Sequence, residues 1–565
     1  MFQRKNPPQQ DAAWVDSAMR WWWLGEEQSR WLKQAFIVLA CMYLLSFALM
    51  PTVPVTMGAT DVFIQLDGGW RVYNGQVPHR DFYIALGPLE YMITAAGMLL
   101  TKASPKGIAI GNILFAGVAA VWGWVLARRR MSVVPALLVT AWLILTAMSP
   151  TPLGAQWRII SAAELYNRHG YILLGLILVE CASSSEESLG DGVSSGVALV
   201  ALFFLKLNFF GAAVMLLLGS VPLRSRDKQR LSGFLIGCMV TIFAFLIALH
   251  FQIGPFLSDM IYATRSRASS RILYASLKGL GSNDNQVVAL LLMTLVVAGL
   301  TAEKYSSRVS FVRMLVLGFT VILTGSLLRQ TNGGETGITL SALWALLLLG
   351  HATLLYAQST EKIALSAVVA LSLALPYADF SQDAKSYVNL LSYSRLSKRQ
   401  AGLQISSPSV SSLRFYDNDD LSKNRIDNGT NYVSQVDDGL TLLSKISKPQ
   451  ETIVTLGHNN PFSYILRRKP SRGGAPWLLL NNNVSPQDMP APERIIGDAD
   501  LLMLPHFDNS HVDSDEALAK FYAGYIQQHF TLVAHSSMWT VYRRKQASRD
   551  AHAEIPSQSC LLGAC

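Results

Sequence analysis

Between Thr60 and Glu90 the chain concentrates groups that can trade protons or hold charge. Asp61, Asp67 and Asp81 supply carboxylates, Arg71, His79 and Arg80 supply cationic or titratable partners, and Glu90 follows directly after Gly87-Pro88-Leu89. Six residues along a regular helix leave Asp61 and Asp67 roughly 120° apart, so they share one cavity only if the chain bends between them. A solvated loop with local ion pairs is the plain reading of such a stretch. Trp70, Tyr73, Phe82 and Tyr83 in the same segment argue instead for a packed site. A second group holds Arg158, Glu164, Arg168 and His169, followed by Lys206, which interrupts an apolar run beginning at Ala201. Arginine forks match phosphate oxygens two at a time, whereas lysine acts as a point charge. The plainer alternatives are an ion pair between Arg168 and Glu164 one helical turn away and a Lys206 that snorkels to a membrane interface.

The elements that must carry these groups follow from composition. Of 565 residues, 51% are hydrophobic and 15% charged, where soluble proteins carry about 25% charged residues. A mean hydropathy of +0.29 excludes a disordered chain and argues against a purely soluble enzyme, yet is too low for a chain embedded in lipid throughout. The formal charge of +9 comes in short runs between apolar stretches, such as Arg128-Arg129-Arg130 and Arg224 to Arg230. Those runs mark cytoplasmic loops and imply no nucleic acid. The expected fold is a polytopic α-helical membrane protein with about eleven spans of ~20 residues and a C-terminal extra-membrane α/β domain.

Residues 1–30 read as a cytoplasmic N-terminal segment and 31–377 as the transmembrane domain, with a first external loop at 51–106. The first span, Trp31 to Met50, reads as a retained anchor, with no cleavable signal peptide before it. Gly107 to Ala127 and Val133 to Met148 follow. Leu89 to Leu100, only ~12 residues, is too short to cross and reads as a helix lying at the interface. Residues 149–170 form an external loop, and Val197 to Val221, broken by Lys206 and Asn208, reads as two short helices. The segment 251–285 is expected to be an external loop whose Arg265, Arg267, Arg271 and Lys278 run against the positive-inside bias. The last span is Ile363 to Tyr377. From residue 378 glycine, asparagine, aspartate and proline become frequent. Thr452 to Leu456, Leu501 to Leu504 and Thr531 to Val533 read as strands, and Pro461 to Arg468 and Ser514 to His529 as helices. An odd span count puts this 378–545 domain outside the cytoplasm, followed by a flexible tail at 546–565. Of the five cysteines, Cys41, Cys181 and Cys238 read as buried thiols. Cys560 and Cys565 lie in the tail, where an oxidising compartment would allow them to pair.

An acidic residue soon after the first span, then Gly75-Gln76-Val77-Pro78-His79-Arg80-Asp81-Phe82 and Gly87-Pro88-Leu89, resembles the first periplasmic loop of the GT-C glycosyltransferases, with His79 where a tyrosine is common. The resemblance covers the span order over roughly 31–377 and, loosely, a C-terminal periplasmic domain. It implies a multi-pass enzyme of the bacterial inner membrane. Such an enzyme moves a sugar from a polyprenyl-phosphate donor to a lipid or glycan acceptor, with inversion. It further implies a catalytic aspartate in the loop as general base: Asp61 by its place about ten residues past the first span, Asp67 as the fallback. Arg71, His79, Arg80, Asp81 and Glu90 would surround the substrates. Arg158, Glu164, Arg168, His169 and Lys206 would serve the donor end, the cations among them meeting the leaving phosphate. Asp81 would orient Arg80 or help hold a divalent metal ion; no other cofactor is implied.

The remaining polar groups carry less. Arg329 to Glu335 reads as a plain external turn. His458-Asn459-Asn460 and Asn481-Asn482-Asn483 could meet carbohydrate but are equally at home in turns, so they take no role. No phosphate-binding glycine loop and no cysteine–histidine metal spacing is present, which weighs against nucleotide hydrolysis. Two rivals stand beside the transferase. One is a polysaccharide polymerase or ligase, which usually places its active loop in mid-chain. The other is a transporter or flippase of lipid-linked substrates, which commonly shows repeated halves that this sequence lacks.

Overall fold

The computed structural model describes residues 29–182, 189–220, 228–266, 284–305, 308–332, 339–356, 362–396, 402–417, 428–506 and 512–545. The membrane-type part runs α1 (Arg30–Ala48), β1 (Val53–Val55), α2 (Asp61–Tyr73), α3 (Leu89–Thr101), α4 (Gly107–Arg128), α5 (Val133–Met148), α6 (Leu165–Cys181), α7 (Leu189–Phe203) and α8 (Leu207–Ser220). It continues with α9 (Lys228–Ala248), α10 (Ile253–Ser266), α11 (Asp284–Tyr305), α12 (Arg308–Asn332), α13 (Leu340–Tyr356) and α14 (Lys362–Leu391). Six described helices are long and apolar enough to cross a membrane, α1, α4 and α9 and the apolar parts of α11, α12 and α14. The expected eleven spans include shorter helices such as α5 and α8.

Burial tells which helices face lipid. On α1, Ile37, Val38, Leu39, Met42 and Leu45 stay exposed, and α9 shows Leu231, Leu235, Met239, Val240 and Phe243. Apolar surface of that extent is stable only against hydrocarbon or a partner. In contrast, every residue of α6 except Tyr166 is buried, as is α13 from Leu340 to Leu349, so these two form the packed centre. Helices α7 and α9 approach closely through glycines. A Cβ on Gly192 would lie 2.0 Å from the Arg230 carbonyl oxygen, and one on Gly237 would lie 2.4 Å from that of Val193. Small residues four apart are what permit two backbones to come so near in a membrane.

The C-terminal part holds β2 (Leu413–Phe415), α15 (Gly429–Ile446), β3 (Ile453–Thr455), α16 (Phe462–Ile465), α17 (Pro492–Ile495), β4 (Leu501–Pro505), α18 (Val512–Phe521), α19 (Ala523–His529), β5 (Phe530–His535) and β6 (Trp539–Arg544). Its sheet runs β3-β4-β6-β5, with β3 and β4 parallel and the other pairs antiparallel. The expected strands are all present, while β6 and the amphipathic α15 were not anticipated. Ser514 to His529 divides into α18 and α19, and Pro461 to Arg468 keeps a helix only at Phe462–Ile465.

Strand β1 of the first loop pairs in parallel with β2, Val53 opposite Leu413 and Val55 opposite Phe415. Val62, Phe63 and Leu66 of α2 share a core with Tyr432, Val436, Ile453 and Leu501. The first loop thus folds against the C-terminal region. Four expectations change. Residues 253–266 of the supposed loop 251–285 form α10, which is amphipathic and therefore carries charges that look like a loop. Arg168 and His169 lie in the first turn of α6, not in a loop, because α6 starts at Leu165. The composition change at 378 falls inside α14, which runs through Pro376 to Leu391. Cys41 is exposed on α1 instead of buried. Arg267, Arg271, Lys278, most of the turn after Asn332, and Cys560 and Cys565 lie outside the described residues.

Candidate functional site

Asp61 opens α2, where a carboxylate is favoured by the positive end of the helix. Its backbone N–H donates to the Gly58 carbonyl at 3.0 Å. Gly58 itself has φ +65°, and its bare α-carbon leaves the room in which Asp61 and Ser161 sit: a Cβ there would lie 2.5 Å from Asp61 Oδ2 and 2.9 Å from Ser161 Oγ. The Asp61 side chain is 30% exposed, and His458 Nε2 stands 3.9 Å from its Oδ1, an ion pair only when the imidazole is protonated. Asp61 therefore keeps a carboxylate available to an incoming group.

The other carboxylates of the loop are engaged. Asp67 is fully buried and receives Arg71 Nε at 2.8 Å across one helical turn. Arg71 also donates to Gln76 Oε1 and to the carbonyls of Ser471 and Gly473. Burial pushes the Asp67 carboxyl up, and the Arg71 charge only partly offsets this. Arg80 embraces Asp81 with Nε at 2.9 Å and Nη2 at 2.6 Å, and Val77 N–H donates to Asp81 at 2.7 Å. Burial raises the Asp81 carboxyl, but these donors together outweigh it and hold it below its ordinary range. Among the described residues no three His, Cys, Asp or Glu side chains converge as a metal site.

His79 sits in the left-handed region at φ 67°, fully buried, with Nδ1 3.0 Å from Asp259 Oδ2 and its ring edge-on to Phe256. Arg494 donates to the same Asp259 oxygen at 2.8 Å and to the carbonyls of His79, Arg80 and Phe82. Here α10 and the C-terminal region clamp the loop. Glu90 and His169 meet at 2.7 Å, and His169 Nε2 reaches Asn112 Oδ1 at 3.0 Å. All three are buried, which ties α3 and α4 to α6.

The donor-end residues divide. Arg168 is buried and donates to the carbonyls of Ser149, Ser161 and Ala163, not to Glu164; its Nε has no partner. Ser161, whose hydroxyl flanks Gly58 beside Asp61, thus links the Asp61 and Arg168 neighbourhoods. Lys206 lies between α7 and α8, Nζ 2.8 Å from Asn167 Oδ1 and 4.5 Å from the Tyr166 ring centre. Glu164 accepts from Asn167 at 3.2 Å. Arg158 is exposed, over the Trp157 ring, and is not brought to the others. An apolar groove of about 100 Å³ has Met50, Val62, Ile160, Ser161, Leu165 and Arg168 among its lining residues.

Sequence reasoning missed two features. A polar cavity of about 120 Å³ lies between α5 and α14, with Asp379, Gln382 and Asp383 on one side and Trp142, Ser149 and Thr151 on the other. The four-residue spacing of Asp379 and Asp383 was the available signal. The turn His458-Asn459-Asn460 is also not a mere connection. Asn459 Nδ2 donates to the Thr60 carbonyl at 2.6 Å and to the Tyr432 hydroxyl at 2.9 Å. By contrast, Asn481 to Asn483 build a turn, with Asn481 at φ 60° and Asn483 bonded to Trp477 and Leu479.

No protein-family model matches the chain, and no curated protein matches it. Among solved structures, ArnT from Cupriavidus metallidurans bound to undecaprenyl phosphate aligns over 92% of this chain and 99% of its own, at 11% identity and a TM-score of 0.43. The same protein in the apo state aligns over 91% and 97%, at 11% identity and a TM-score of 0.40.

Proposed function

We propose that the chain is a membrane glycosyltransferase that moves a sugar from a polyprenyl-phosphate donor to a lipid or glycan acceptor, with Asp61 as general base. The observation that carries this reading is the contrast among the loop carboxylates: Asp61 stays 30% exposed, while Asp67 and Asp81 are locked to Arg71 and Arg80. A carboxylate at hydrogen-bond distance accepts the acceptor's hydroxyl proton as that oxygen attacks the anomeric carbon. The bond from that carbon to the phosphate oxygen breaks, the electron pair leaves with the polyprenyl phosphate, and the configuration inverts.

In this reading the apolar groove that Arg168 helps to line receives the start of the prenyl chain. Arg168 exchanges carbonyl contacts for phosphate oxygens, and Lys206 adds a point charge. Arg71, His79, Arg80, Asp81, Glu90 and His169 build the walls. The reading places Asp61 and the 378–545 domain on the periplasmic side of the bacterial inner membrane, and the core that Val62 and Phe63 share with Tyr432 and Ile453 supports their lying on one side. The test is incubation of the purified full-length protein with a panel of radiolabelled polyprenyl-phosphate sugars and membrane acceptors. Transfer that the Asp61→Asn variant loses supports the proposal; no transfer from any donor, or transfer that the variant retains, contradicts it.

A further inference from the structure

The turn His458-Asn459-Asn460 follows β3, and its own bonds hold it in place. Asn459 reaches the Thr60 carbonyl and the Tyr432 hydroxyl, and Thr455 Oγ1 donates to Asn460 Oδ1 at 3.2 Å. These contacts seat the turn against the start of α2. They bring His458 Nε2 to 3.9 Å from Asp61 Oδ1, with the His458 side chain 11% exposed. On the far side Asp515 of α18 receives the His458 backbone N–H. The imidazole thus faces the partly open Asp61 carboxylate, while the buried Asp515 carboxylate holds the backbone of the same residue.

We propose that His458 is a positioning residue of the reaction, delivered by the C-terminal region to orient the Asp61 carboxylate and to take on the proton that Asp61 collects. This rests on the reading of Asp61 as base. The acceptor proton moves first to Asp61 as the new glycosidic bond forms and the sugar–phosphate bond breaks. It then passes to His458 Nε2 once the two side chains close from 3.9 Å to hydrogen-bond distance, leaving an imidazolium and restoring the Asp61 carboxylate, and solvent finally takes it. Charged groups that bear on the residue include Asp61 from α2, 3.9 Å from the ring, and Asp515 from α18, on its backbone N–H. Burial pushes Asp515 up to about 7, with His458 pulling the other way. An imidazolium at 458 would thus be met by a carboxyl ready to ionise.

The experiment uses the full chain in detergent and has two readouts. With a radiolabelled polyprenyl-phosphate sugar as donor, His458→Gln should lower kcat roughly 10- to 100-fold, within the range of proton-transfer catalysis. It should leave the donor KM unchanged and shift the acid limb of the pH–rate profile. Independently of turnover, carbethoxylation of His458 by diethylpyrocarbonate, read by peptide mass spectrometry across pH, reports where its ring loses its proton. That midpoint should fall by about half to one pH unit in Asp61→Asn, since a neighbouring negative charge favours the protonated ring. An unchanged midpoint, or an unchanged kcat in His458→Gln beside an inactive Asp61→Asn, overturns the role of His458 alone. An active Asp61→Asn overturns the base assignment and this inference with it.

Discussion

The Asn459 side-chain amide donates to the Thr60 carbonyl at 2.6 Å, so the residue before Asp61 is held by one 399 positions further along the chain. The same amide also meets the Tyr432 hydroxyl, and both partners are buried. Asn459→Ala removes two buried hydrogen bonds and leaves the Thr60 carbonyl with the Phe63 N–H at 3.2 Å, at a cost of about 1–3 kcal/mol. The expected outcome is a lower melting temperature in detergent, followed by tryptophan fluorescence, with reduced turnover at temperatures where the protein is folded. Wild-type values for both would show that the turn is held by other contacts.

Gly58→Ala tests the space around Asp61. At φ +65° a Cβ adds backbone strain of about 1–3 kcal/mol, and it would stand 2.5 Å from Asp61 Oδ2. The carboxylate must move to make room. Turnover should fall at least tenfold while the protein remains monodisperse in size-exclusion chromatography. Normal turnover would mean that the placement of Asp61 is not critical.

The Asp67–Arg71 pair should behave as structure. Removing one partner of a buried ion pair costs about 3–5 kcal/mol, because the other charge stays buried. Asp67→Asn should therefore reduce the yield of folded protein and its melting temperature. Asp67→Leu combined with Arg71→Met should recover part of that loss. A fully stable but inactive Asp67→Asn would move the catalytic role from Asp61 to Asp67.

The His79 clamp predicts a pH dependence. Burial lowers the His79 pKa below its ordinary 6.5, against a smaller upward pull from Asp259. Below that value the unfolded chain binds a proton more readily than the folded one, so the His79 contribution is complete above pH 6.5 and declines as pH falls through and beneath it. Melting temperatures measured from pH 7.5 to 5 should fall toward acid for the wild type and fall less for His79→Gln. Equal slopes would remove His79 as the source.

Much of this architecture is legible in the sequence, and the losses have physical causes. Apolar runs identify α1, α4 and α5, and the break at Lys206 separates α7 from α8, because hydrophobic burial and lipid exposure impose long apolar stretches. Strands β3 and β4 show as short apolar runs. The density of charge in 60–90 marks the region of the candidate site. What one-dimensional reading cannot supply is which carboxylate remains open. Asp67 is engaged by a residue four positions away, but the clamps on Arg71 and His79 come from Ser471, Gly473, Asp259 and Arg494. Helix α10 escaped because an amphipathic segment rich in charge reads as a loop. Asp379 and Asp383 are not legible because the composition change at 378 reads as a domain boundary although the helix continues to Leu391. His458 stands out in the sequence only as part of a polar turn, because its nearness to Asp61 comes from a contact between distant segments.

The account rests on Asp61, and one substitution addresses it. Asp61→Asn keeps the shape of the side chain and removes the proton acceptor, a loss that typically costs about 10²- to 10⁴-fold in rate. The measurement is single-turnover transfer from a radiolabelled polyprenyl-phosphate sugar at saturating donor, paired with donor binding by the same variant. The account predicts a rate lower by that factor with donor affinity unchanged, since this carboxylate acts on the acceptor. Transfer at the wild-type rate by Asp61→Asn would contradict it.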